Sequence, residues 1–114
     1  MKTFKRSAAQ GDCLLRRVTK LPKGLTAIKA EQGQFIIAHS KTGHNHCVKE
    51  RSDVKLYASV DQFRGYLEVN GREPVVLEHH RSFDTHEALE ITPGIYEIRR
   101  QREYTPQGYR RAAD

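Results

Sequence analysis

The stretch TPGIYEIRRQREYTP, residues 92–106, decides the fold class. Pro93-Gly94 predicts a tight turn, and from Ile95 onward apolar and polar residues alternate. Alternation with a period of two is typical of a strand with one face in a core and the other toward solvent. We therefore expect a long last strand over residues 95–104, which Thr105-Pro106 ends.

Similar short runs recur along the rest of the chain, separated by turn residues about every 8 to 12 positions, as in a sandwich or barrel. The other predicted strands cover residues 12–18, 25–30, 35–39, 44–49, 54–58, 66–69, 74–77 and 88–91. Asn70-Gly71 favours a hairpin with a type I′ turn, in which both central residues take positive φ. Short helical turns are expected only at residues 60–64 and 109–113. The sequence predicts an all-β, antiparallel sandwich or barrel.

The composition is that of a single soluble domain over residues 1–114. The chain is 37% hydrophobic and 30% charged, and its length suffices for one modest core. No apolar run approaches the roughly 20 residues of a membrane helix, so no membrane partner is expected. Residues 1–9 are basic with no hydrophobic region after them, which indicates a flexible leader rather than a secretory signal. Residues 105–114 are expected to be a tail, and Cys13 and Cys47 to be reduced thiols in a cytoplasm.

The net charge of +6 is concentrated at one end of the chain. Residues 2–23 contain seven Lys or Arg and one Asp, whereas the remainder contains thirteen residues of each sign. A basic end can attract phosphates, but Lys and Arg equally protect an edge strand. The Arg-rich end of the last strand equally fits structural ion pairs or a contact in a homo-oligomer. The candidate nucleic-acid contacts are Lys5, Arg6, Arg16, Arg17, Arg100 and Arg102.

The segment TGHNH, residues 42–46, is the strongest candidate for chemistry. In an extended chain His44 and His46 project from the same face, roughly 6–7 Å apart, so both can bind one metal ion. The alternative is a pair of solvated surface histidines beside a turn. The letters HNH do not indicate an HNH nuclease, in which the three residues lie far apart on a ββα metal finger.

Further ligands must come from another strand or loop. His79 and His80 face opposite sides in a strand, so at most one joins the site easily, and we favour His80. His86 can also reach the site from its loop. Asp84 and Glu87 flank His86 and could orient its imidazole, or could simply solubilise the loop.

Two resemblances concern this region. His44-x-His46-x-x-x-Glu50 resembles the first cupin metal motif, which implies a metal inside a jelly roll and gives Glu50 a role as a ligand or a supporting residue. TGHxH at residues 42–46 and RQREYTP at residues 100–106 resemble motifs of a family of short, uncharacterised bacterial and phage proteins. That second resemblance implies one compact domain in which TGHxH matters, and it implies no particular reaction.

The first hypothesis is therefore a β domain that binds one divalent transition metal through His44, His46, His80 and His86. Imidazole suits Zn, Ni, Fe or Cu. An open coordination position would allow metal-dependent hydrolysis or oxidation, whereas four histidines would make the metal structural, so enzyme status stays open. The alternative hypothesis is a non-catalytic module that binds nucleic acid or protein through its basic residues.

Overall fold

The computed structural model describes residues 2–10, 13–38, 45–60, 64–79, 88–99 with side chains, and the backbone of residues 100, 102–105 and 108–111. Within these residues the regular elements are all strands. They are β1 (Lys2–Thr3), β2 (Ser7–Gln10), β3 (Cys13–Val18), β4 (Thr26–Ile28), β5 (Gln34–Ala38), β6 (His46–Lys49), β7 (Val54–Ala58), β8 (Arg64–Val69), β9 (Val75–His79), β10 (Leu89–Ile91), β11 (Gly94–Arg100), β12 (Arg102–Thr105) and β13 (Gly108–Arg111). The predicted all-β class is confirmed.

The strands form two main sheets that pack as a sandwich. Sheet I has the order β1-β10-β9-β6-β5, and sheet II has the order β2-β3-β11-β8-β7-β4. The pairings are antiparallel except for β1 with β10, which is parallel. A third, two-stranded sheet joins β12 to β13.

Alternation along the strands builds one hydrophobic core between sheets I and II. Leu15 and Leu67 from sheet II and Val48, Leu77 and Leu89 from sheet I are almost fully buried in it. Burial of such side chains contributes on the order of 1.5–3 kcal/mol each, so the inward residues hold the two sheets together. β11, the strand of the opening motif, lies inside sheet II with β3 on one side and β8 on the other.

Three local predictions fail. The strands that flank Asn70-Gly71 do not form a hairpin, because β8 belongs to sheet II and β9 to sheet I. The predicted last strand divides between two sheets: β11, to Arg100, lies in sheet II, and β12, from Arg102, lies in the third sheet, while residue 101 lies outside the described residues. The tail expected to be helical from Tyr109 is extended over the described residues 108–111.

The N-terminal segment expected to be a leader contributes strands to both sheets. β1 pairs with β10 in sheet I, and β2 pairs with β3 in sheet II. Between them, Phe4 packs against the core and lies edge-to-face on Tyr96, with ring centroids 5.7 Å apart. No helix within the described residues is long and apolar enough to cross a membrane.

Candidate functional site: a buried histidine pair

His46 is the first residue of β6 and points into the core. Strand alternation puts His46 on the same face as Val48, which is fully buried, and the His46 side chain is also 0% exposed. Its antiparallel neighbours are Ala38 of β5 on one side and His79 of β9 on the other. The strand predicted over residues 44–49 is confirmed for the described residues from His46 to Lys49.

His79 is the last residue of β9 and lies directly opposite His46. It shares the inward face with Val75 and Leu77 and is 4% exposed. Because directly opposite residues of an antiparallel pair are about 4.5–5.5 Å apart at Cβ, their rings come into contact. The two imidazoles are stacked, with centroids 4.0 Å apart and planes 5° from parallel.

A third polar residue, Gln10, reaches this pair from the other sheet. Gln10 is the last residue of β2 and is 2% exposed. Its Oε1 atom lies 2.8 Å from Nδ1 of His46, and its Nε2 atom donates to the Leu77 carbonyl oxygen at 3.0 Å. The site therefore joins β2 of sheet II to β6 and β9 of sheet I.

The chain segments that carry the other histidines begin at these strand ends. Residues 39–44 connect Ala38 to Asn45, next to His46, and residues 80–87 follow His79. Of the predicted site residues, five lie outside the described part of the chain: His44, His80, Asp84, His86 and Glu87. Among the residues that the structure does describe, no three His, Cys, Asp or Glu side chains are grouped to hold a metal ion.

The stacked arrangement limits how the described pair could bind a metal. An ion lies in the plane of the imidazole that binds it, about 2.0–2.1 Å from the nitrogen. Since the planes of His46 and His79 are 5° from parallel with centroids 4.0 Å apart, one ion cannot lie in both. The pair could share an ion only after one ring turns about its side-chain bonds.

Glu50 lies beyond the opposite end of β6 from His46. His46 begins β6, whereas Glu50 follows its other end, about 13 Å further along an extended chain. Its side chain is exposed, and its backbone amide donates to the Gly33 carbonyl oxygen at 2.8 Å. The cupin-like arrangement is therefore not confirmed, and His44 of that motif lies outside the described residues.

Cys47 projects from the opposite face of β6 and is buried there, 4% exposed. It lies opposite Glu78 of β9. Burial, and then the charges of Glu78 and Glu31, raise the pKa of the Cys47 thiol above its usual range. This shift is opposite to the lowered pKa of an activated cysteine nucleophile.

The basic residues predicted to contact nucleic acid differ in the contacts that they make within the fold. The Arg17 guanidinium donates to the carbonyl oxygens of Lys5 and Pro93, to Oγ1 of Thr92 and to the hydroxyl of Tyr96, and it lies 4.9 Å from the centroid of the Tyr96 ring. Arg16 is 58% exposed and 3.6 Å from the carboxylate of Glu97. Lys5 and Arg6 are exposed, and the side chains of Arg100 and Arg102 lie outside the described residues.

A second buried polar group lies on the outer face of sheet II. Glu97, 4% exposed, accepts hydrogen bonds from Nε of Arg99 at 2.7 Å and from the Tyr66 hydroxyl at 3.3 Å. Burial, followed by the Glu97 charge and this hydrogen bond, raises the pKa of the Tyr66 phenol, and the charges of Arg64 and Arg99 oppose the rise. The cluster stabilises contact between β8 and β11 and bears no histidine.

From the sequence, His79 is the less favoured of two neighbouring candidates, and Gln10 has no assigned role. The signal for His79 was present, because Val75, Leu77 and His79 alternate in one strand and must share a face. His80 was favoured instead, and it lies outside the described residues. The sequence could not predict the contact of Gln10 with His46, since that contact depends on which strand of the other sheet lies across the core.

These features define a two-sheet, all-β domain with a buried His–His–Gln cluster at one end of the sandwich. The chain belongs to the family described as Domain of unknown function (DUF8820), whose model matches residues 9–101. That match includes Gln10, His46 and His79. No curated protein and no solved structure matches the chain.

Proposed function

We propose that this domain binds one divalent transition metal at a histidine centre that includes His46. The observation that carries the proposal is the contact between His46 and His79, both buried, at the two strand ends from which residues 39–44 and 80–87 leave. Those two segments contain all four remaining histidines of the chain. Imidazole is a common ligand of Zn, Ni, Cu and Fe ions.

The proposed ligands are His46 with two or three imidazoles from a defined set. His44, His80 and His86 remain candidates from their sequence positions, and His79 joins them because it contacts His46. A ligand set of His46 and His79 requires one ring to leave the stack. If the other ligands are histidines of the two connecting segments, His79 is not a ligand and instead packs against the ring of His46.

The number of ligands would determine the chemistry. Three imidazoles leave a position for water, whose pKa a bound metal lowers enough for hydrolysis near neutral pH, while a redox metal at such a site can activate oxygen. Four imidazoles close the site and make the metal structural. In either case the low exposure of His46 keeps bulk water away from at least one ligand.

Metal content of the protein purified without a histidine tag tests the proposal. We expect stoichiometric metal in the wild type by mass spectrometry, and most of it lost in His46→Ala because one of three or four ligands is removed. Cys47→Ala is the matched control, since Cys47 is the adjacent residue on the opposite face and should retain metal. Binding should also weaken below about pH 6, because protons compete for imidazole nitrogens.

Single substitutions of the other histidines define the ligand set. His79→Ala and His80→Ala separate the residue in contact with His46 from the one favoured by the sequence, and His44→Ala and His86→Ala test the connecting segments. Stoichiometric metal in the His44→Ala/His46→Ala double variant would disprove the proposal. So would a wild-type protein that binds none of the four metals.

Binding of nucleic acid is the second candidate, and one observation favours it. A surface recess is lined by Arg6, Ser7, Arg16, Arg17, Val18 and Thr19. Because Arg17 is engaged within the fold, Arg6 and Arg16 would make the phosphate contacts. We expect Arg6→Gln/Arg16→Gln to lower the salt dependence of single-stranded DNA binding by roughly 1.4 in log–log slope. A salt-independent affinity, or none, would exclude this function.

A further inference from the structure

The side-chain amide of Gln10 lies between the Leu77 carbonyl oxygen and the imidazole ring of His46. Both ends of the amide are engaged: Nε2 lies 3.0 Å from the Leu77 carbonyl oxygen, and Oε1 lies 2.8 Å from Nδ1 of His46. Gln10 is 2% exposed and His46 is 0% exposed, so water does not compete for these contacts.

The carbonyl of Leu77 determines which way the amide faces. A carbonyl oxygen only accepts hydrogen bonds, so the atom of Gln10 beside it must be the NH₂ nitrogen. The reversed amide would place two acceptor oxygens 3.0 Å apart in a buried site with no hydrogen between them. The oxygen of Gln10 therefore faces His46.

The same reasoning then determines the tautomer of His46. The Gln10 oxygen can only accept, so Nδ1 of His46 must carry the hydrogen. In the neutral imidazole the other nitrogen, Nε2, then carries the lone pair. We infer that Gln10 is a positioning residue that fixes His46 as the Nδ1–H tautomer, in which the lone pair is on Nε2.

This arrangement deepens the proposed metal site and rests on it where metal is concerned. A histidine ligand commonly donates its second ring N–H to an oxygen acceptor, which fixes the ring orientation and raises its basicity. Here the acceptor comes from sheet II while His46 belongs to sheet I. The ligand would thus be oriented by the packing of one sheet on the other.

The tautomer is measured without metal, by nitrogen-15 NMR of the imidazole ring in the metal-free protein at neutral pH. We expect a protonated-nitrogen shift for Nδ1 of His46 and an unprotonated-nitrogen shift for Nε2, assigned by comparison with His46→Gln. The opposite pattern in the wild type would overturn the inference, whatever the metal content.

Two substitutions of Gln10 test its role. Gln10→Glu keeps an oxygen acceptor toward Nδ1, and its protonated carboxyl can donate to the Leu77 carbonyl oxygen in place of the amide, so Nδ1 of His46 should keep its hydrogen. Gln10→Met is of similar length and has no acceptor, so the single tautomer should give way to a mixture. Val48→Ala is the control: it leaves a cavity beside His46 on the same strand and should leave the tautomer unchanged. An unchanged tautomer in Gln10→Met would remove Gln10 from this role.

A metal titration with Zn²⁺ and Ni²⁺ completes the test. Gln10→Met should weaken binding by roughly 10–100-fold, the usual effect of losing the partner of a histidine ligand, and Gln10→Glu should restore most of it. If the wild type shows the inferred tautomer but binds neither ion, the proposed function fails and the positioning role stands. If it binds metal but with Nδ1 unprotonated, the positioning role fails alone.

Discussion

At the scale of single residues, the Tyr66–Glu97 contact gives a prediction for alkaline pH. The pKa of Tyr66 is raised, chiefly by burial and then by the Glu97 charge, so the folded protein binds the phenolic proton more tightly than the unfolded chain does. Stability should be unaffected below the unfolded pKa of about 10 and should fall as pH rises above it. We expect the free energy of unfolding of the wild type to fall more steeply above pH 10 than that of Tyr66→Phe.

The control for this prediction is Tyr57→Phe on the neighbouring strand. Tyr57 lies opposite Tyr66 in the β7–β8 pairing, and its pKa is raised chiefly by burial and then by Glu68. Removing Tyr57 should leave the Tyr66 contribution in place. Identical pH profiles for the wild type and Tyr66→Phe would show that the Tyr66–Glu97 contact does not favour the protonated phenol.

At the scale of elements, Gly71 lies where a glycine is needed, but not for the reason that the Asn-Gly hairpin motif predicted. A type I′ hairpin would need positive φ at Asn70 and Gly71, but neither residue has it. A Cβ at Gly71 would instead overlap Oδ2 of Asp53. Arg51 holds that carboxylate through Nε and Nη2, and it also donates to the carbonyl oxygens of Glu73 and Pro74.

Gly71→Ala should therefore destabilise the crossover from β8 to β9. We expect a larger loss in the free energy of unfolding than in the Arg72 control, because Cβ displaces the Asp53 carboxylate from Arg51. The cost should largely disappear in an Asp53→Ala background, where the carboxylate is absent. Arg72→Ala, at the next and exposed position, is the control at about 0.5 kcal/mol or less. Equal costs in the two backgrounds would contradict the steric cause.

Arg17 joins three separate parts of the chain at another inter-sheet connection, the one from β10 to β11. It binds the Lys5 carbonyl before β2, the Thr92-Pro93 connection between β10 and β11, and Tyr96 of β11. Gly94 has φ of 151°, and a Cβ there would overlap the Arg17 guanidinium. Pro93-Gly94 therefore lies at a connection between the two sheets, where the absence of a side chain on Gly94 leaves space for the Arg17 guanidinium.

Replacing Arg17 by lysine should show that geometry matters here as well as charge. An ammonium group cannot reproduce the planar set of donors, so we expect Arg17→Lys to lose about 2 kcal/mol in a denaturant titration. Arg16→Lys is the matched control: Arg16 is 58% exposed in its pair with Glu97 and should change stability by less than about 1 kcal/mol. Similar losses for the two variants would argue against the joining role of Arg17.

At the scale of the whole molecule, the sequence predicted the strands better than their partners. Alternation located β3, β5, β6, β7, β9 and β11 within a few residues, because period-two burial is a local property. It could not show that the chain crosses between sheets at Asn70-Gly71, because hairpin and crossover use similar turn residues. The same limit applies to the site: His46 could be predicted, but its contact with Gln10 depends on the packing of sheet II against sheet I.

The N-terminal segment gives the last prediction, because its two short strands belong to different sheets. The Lys2 amide donates to the Ala88 carbonyl oxygen at 3.2 Å, and the Arg17 amide donates to the Arg6 carbonyl oxygen at 2.7 Å. Phe4 adds its edge-to-face contact with Tyr96. Deleting residues 2–6 should therefore lower the free energy of unfolding by about 2–4 kcal/mol, since it removes these contacts and the Lys5 acceptor of Arg17.

The matched control keeps the backbone and Phe4 but removes the charges, as Lys2→Gln/Lys5→Gln/Arg6→Gln. Because these side chains are exposed, the triple variant should keep wild-type stability within about 1 kcal/mol. It should also weaken any single-stranded DNA binding, which separates the electrostatic role of the segment from its structural one. A deletion variant that unfolds at the wild-type denaturant concentration would mean that β1 and Phe4 do not contribute to the stability of the fold, as expected of a flexible leader.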